Sequence, residues 1–61
     1  MVTAAETKAL LDGVGVKHKR MAAATKIPKS WVSEWLNNKR NLDVDRLARI
    51  ENYCNKLRKI L

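Results

Sequence analysis

The side chains of this 61-residue chain best suited to chemistry are polar ones gathered on one short segment, Pro28 to Asn37. If Val32, Trp35 and Leu36 form the inward stripe of a helix there, then Lys29, Ser30, Ser33, Glu34 and Asn37 face outward. That set suits recognition by hydrogen bonding rather than the making of bonds. A lysine ammonium donates to acceptor atoms, and a glutamate carboxylate accepts from amino groups. Serine hydroxyls serve as donor or acceptor. No activated nucleophile, carboxylate pair or glycine-rich cofactor loop is evident, so an enzyme is not expected. One histidine, His18, and one cysteine, Cys54, cannot close a four-ligand metal site. No metal, cofactor or small-molecule substrate is expected.

The charge surrounds the same segment. Thirteen Lys and Arg against six Asp and Glu give a formal charge of +7. Seven of those basic residues lie between Lys17 and Arg40, with Glu34 as the one acid among them. Such a concentration points to a polyanionic partner. The lone cysteine excludes an internally disulfide-bonded scaffold. The longest apolar run, Met21 to Ala24, is far too short to span a bilayer. The opening residues do not read as a secretory signal. With 46% apolar residues, the expectation is one ordered cytoplasmic domain over 1–61, burying about 60% of its unfolded surface.

The elements that must position these groups read as all helical. Ala, Leu, Lys and Arg dominate, and Gly13, Gly15 and Pro28 are the main punctuation. A first helix over Ala4–Asp12 is predicted by the capping box Thr3-x-x-Glu6, with Gly13 ending it and Gly15 keeping the turn loose. Ala9, Leu10, Leu11 and Val14 form its weak inner face. A second, poorly capped helix covers Lys17–Thr25, with Met21, Ala22 and Thr25 inward. Pro28 suits the first position of a third helix reaching about Asn37, and Asn38 suits a left-handed terminator. Asp43 is a good N-cap for a last helix reaching towards Leu61. Along it Val44, Leu47, Ile50, Cys54, Leu57 and Leu61 make one apolar seam, with Arg46, Arg49, Lys56 and Lys59 read as a solvated face.

Residues 18–37, HKRMAAATKIPKSWVSEWLN, are thus two short helices joined by a tight turn, with small Ala22 where they must approach. Met21, Ile27, Val32 and Trp35 are apolar along the unit. This segment resembles the helix-turn-helix of the lambda-repressor and Cro-like family. The stretch from Asn37 to Asp43 looks like the family's loop after the recognition helix, and Leu47, Ala48 and Ile50 look like its closing helix. The likeness covers roughly residues 8 to 57. It departs at Lys26, where glycine is usual, and at Pro28, where Ser or Thr often caps.

The resemblance implies an all-α domain of four to five helices that binds double-stranded DNA, reading the major groove with helix 28–37. It implies Lys29, Ser30, Ser33 and Glu34 as base readers, with Lys17, His18, Asn37, Lys39 and Arg40 on phosphate. It further implies a Cro-like repressor acting as a homodimer on a pseudo-palindromic operator, weakly paired without DNA. Cys54, Leu57 and Leu61, at the far end of the last helix, are the expected dimer contacts. Blander roles weigh against sharper ones elsewhere. Trp35 reads as core, and Trp31 as packing against the last helix rather than touching DNA sugar or a partner subunit. Cys54 reads as a buried thiol rather than a redox sensor. A basic protein-interaction module, antitoxin-like or binding an acidic partner, is the competing function. A cationic membrane-active peptide is disfavoured because the charge clusters on a folded motif.

Overall fold

The computed structural model describes residues 2–60 as four helices with no strand among them. They are α1 (Ala4–Val14), α2 (His18–Thr25), α3 (Lys29–Leu36) and α4 (Val44–Ile60). Both α1 and α2 pack against both α3 and α4. The core between them is Leu11, Met21, Ala22, Ile27, Val32, Trp35, Leu36, Ile50, Cys54 and Leu57, with Val2 and Ala4 closing the N-terminal end.

Three helices end by one device. Gly15, Lys26 and Asn38 take left-handed backbone, with φ of 80°, 59° and 60°. In each case the next residue's N–H turns back five residues: Val16 to Leu11, Ile27 to Ala22 and Lys39 to Glu34. These bonds satisfy carbonyls that a helix end leaves without partners. After α2 the apolar side chain of Ile27 is buried against the core, which locks the turn into α3. Lys26 therefore adopts the conformation glycine would take more readily.

Several details differ from the sequence expectation. Helix α1 runs through Gly13 and ends at Gly15, because the turn needs a left-handed residue directly before half-buried Val16. Its inward face is Ala4, Thr7 and Leu11, while Ala9 is exposed. Buried Thr7 is tolerated because its hydroxyl donates to the carbonyl of Thr3 at 2.9 Å. Thr25 does the same to the Met21 carbonyl at 2.7 Å. The Thr3 hydroxyl accepts the Glu6 N–H at 3.1 Å, the first half of the expected capping box. Pro28 sits one residue outside α3, its carbonyl accepting the N–H groups of Trp31 and Val32. On α4 the seam starts at half-buried Leu47, since Val44 is 69% exposed.

Candidate nucleic-acid interface

The turn at Lys26 and Ile27 sets α3 across α2, and the buried side of α3 is Val32, Trp35 and Leu36. With those three anchored, the outward side is set by helical periodicity. Lys29 and Ser30 are exposed, and Ser33 and Glu34 are half-buried. The start of α2 lies beside this edge: His18 Nδ1 is 3.5 Å from the Ser33 hydroxyl. Asn37 donates its side-chain amide to the Ser33 carbonyl at 2.9 Å, which ties it back onto the end of α3. Lys17, Lys39 and Asn37 are exposed.

Glu34 and Arg40 are brought together, with Arg40 Nε 3.2 Å from Glu34 Oε1. Arg40 also lies over the Trp31 indole, its Cζ 4.6 Å from the ring centre. Arg46, on the first turn of α4, lies over the same ring at 4.9 Å. Its Nη1 donates to Asp43 Oδ1 at 2.7 Å, and that hydrogen bond holds the Asp43 carboxyl below its ordinary value. The fixed partners of Trp31 and Arg46 are what sequence reasoning missed. The only signal in the chain is the three-residue spacing of Asp43 and Arg46 on a helical turn. Trp31 is itself half-buried against the core, and it meets α4 at this guanidinium.

The remaining expected site residues lie elsewhere. Cys54 and Leu57 are buried in the chain's own core, and Leu61 lies outside the described residues. Burial pushes the Cys54 thiol up, partly offset by the Thr7 hydroxyl 3.9 Å from Sγ. At the same end of α4, Ile60 is 73% exposed. No helix among the described residues is long and apolar enough to cross a membrane, and no cluster of three metal-ligating side chains occurs among them.

A polar helix edge flanked by basic side chains has the shape and charge that a major groove can accept. The helix-turn-helix family matches residues 8–59, which takes in all of α2 and α3 and most of α1 and α4. The chain belongs to the lambda-repressor-like helix-turn-helix family. That family is one of DNA-binding transcription regulators. No curated protein and no solved structure matches the chain.

Proposed function

We propose that this helix-turn-helix protein is a cytoplasmic, sequence-specific DNA-binding repressor of the Cro-like kind, of phage or prophage origin. The observation that carries the reading is the outward edge of α3, where Lys29 and Ser30 are exposed and Ser33 and Glu34 partly exposed, opposite a buried face. These four read base edges in the major groove. Lys17, His18, Asn37, Lys39 and Arg40 rim that edge and grip phosphate, fixing the register in which it reads. Two copies bind a pseudo-palindrome, paired through the end of α4. Exposed Ile60 offers apolar surface there, above Cys54 and Leu57 in the core.

Selection from a random duplex library at about 0.15 M salt tests this, because backbone attraction is already weakened there. A symmetric motif with half-sites about ten base pairs apart is the expected result. A lone half-site would retain the DNA function and remove the dimer. With the selected duplex, Lys29→Ala and Ser33→Ala each reduce discrimination by about 1–3 kcal/mol at one base pair. Their melting temperatures stay close to the parent's, since neither side chain supports the core.

A second reading is favoured by one surface feature. Val14, Val16, Ala24, Tyr53 and Ile60 line a shallow apolar cleft on the α1, α2 and α4 side, with Arg20 and Lys56 beside it. Absence of any enriched sequence, with binding that fades steeply as salt rises, would move an acidic protein partner on this cleft to the front.

A further inference from the structure

Trp31 and Trp35 stand one turn apart on α3 and do different things. Trp35 is buried in the core, whereas Trp31 keeps a half-exposed ring. Two guanidinium groups from different elements rest on that ring: Arg40 from the loop after α3, and Arg46 from the start of α4. Like charges do not gather on one indole without compensation. The electron-rich ring face supplies part of it, and the carboxylates of Glu34 and Asp43 supply the rest. Each carboxylate contact occupies one edge of a planar fork, and each arginine side chain remains 36% exposed. The Arg46 Nε is shut off from solvent without a partner, so that side chain's free donors are those of its outer end.

We propose that Trp31 is the positioning residue of a two-arginine phosphate clamp, holding Arg40 and Arg46 beside α3 so that both meet the DNA backbone while α3 reads base edges. This rests on the DNA-binding reading. Guanidinium forks match phosphate oxygens in pairs, and a stacked arginine enters the complex with its orientation already set. The solvated face expected for Arg46 thereby becomes part of the site, and Trp31 acts through the two arginines rather than by touching DNA.

The experiment is a double-mutant cycle on duplex affinity, measured over a range of salt with the selected operator and a scrambled duplex of equal length. Arg46→Gln is expected to weaken both duplexes several-fold and alike, and to lower the slope of log affinity against log salt by about 1. Arg46→Lys keeps the charge but not the fork, and recovers only part of the loss. In a Trp31→Leu background, Arg46→Gln is expected to lose less than it does alone, because the clamp is already loosened. Trp31→Phe keeps a ring face and restores much of the affinity.

Independent, multiplicative losses from Trp31→Leu and Arg46→Gln would show that Trp31 only packs, and would overturn the proposal. So would an Arg46→Gln protein with unchanged affinity and salt slope, whether or not Trp31→Leu folds. If the parent protein prefers no duplex sequence, the functional reading itself fails and the clamp falls with it. If it selects an operator while the cycle shows no coupling, the clamp alone is lost.

Discussion

Ile50, Cys54 and Met21 are closed to solvent and held by volume, whereas Ser33, Glu34, Arg40 and Arg46 are partly exposed and held by polar partners, Ser33 by His18, Glu34 and Arg40 by each other, and Arg46 by Asp43 and Trp31. In the first region each side chain fills space that no other group can fill, so its contribution is large and concerns folding. In the second, the contacts are a 3.5 Å hydrogen bond, two part-exposed ion pairs and two cation–π contacts. Contacts of that kind stabilise a fold by about 1 kcal/mol or less each. Their effect is to restrict where polar groups point. The two regions meet on α3, whose buried side is anchored by the core and whose outward edge is shaped by the surface network. Stability and the proposed recognition are therefore separable on one eight-residue helix.

The harshest test of that separation is Ile50→Ala. Truncating a fully buried isoleucine removes about 2–5 kcal/mol, a large part of what so small a domain has. A thermal melt should show a steep drop or no folded baseline. DNA binding should disappear only to the extent that the protein unfolds, and should return on cooling the folded fraction. A variant that stays folded yet binds no DNA would place the core within the recognition surface and end the distinction.

A milder change sharpens the comparison at the hinge between the regions. Lys26 holds left-handed backbone with φ 59° at the turn from α2 to α3. Lys26→Gly relieves that strain but adds freedom to the unfolded chain, so a net gain of about 0.5–1 kcal/mol is expected. Chemical denaturation would measure it. A loss instead would mean that the lysine side chain supports the turn in a way the backbone geometry does not reveal.

How these features stand in the sequence follows the same division. All four helices are legible from apolar spacing and punctuation, and the α2–α3 unit is legible as a motif because Ala22, Ile27 and Val32 must be buried for it to close. The ends are less so. Gly13 reads as the terminator because it comes first, and Gly15 takes that place only once Val16 is known to need packing, which is a tertiary fact. Thr7 was hidden because counting apolar residues overlooks a hydroxyl satisfied by its own helix. Val44 continues the seam in register, yet the first turn of α4 leaves it exposed. At the candidate site the basic and polar residues stand out by type, but their pairing does not. Glu34 with Arg40, and Arg46 with Trp31, depend on how the loop from Asn37 to Asp43 folds back, and no local spacing encodes that path.

The smallest effect belongs to Asp43→Asn, and its two readouts move in opposite directions. The Arg46 hydrogen bond favours the charged carboxylate, so the folded-state pKa lies below the unfolded one. Stability from this pair is present above the unfolded pKa and is lost as pH falls through the folded value. At neutral pH the variant should melt slightly below the parent, and the gap should close as the solution is acidified through the carboxylate range. On DNA the sign reverses, because the carboxylate competes with phosphate for Arg46. Asp43→Asn should bind operator and scrambled duplex slightly more tightly, with no reduction in salt slope. If it weakens binding instead, Asp43 orients Arg46 towards the backbone, and the surface network restrains the arginine as firmly as the core restrains Ile50.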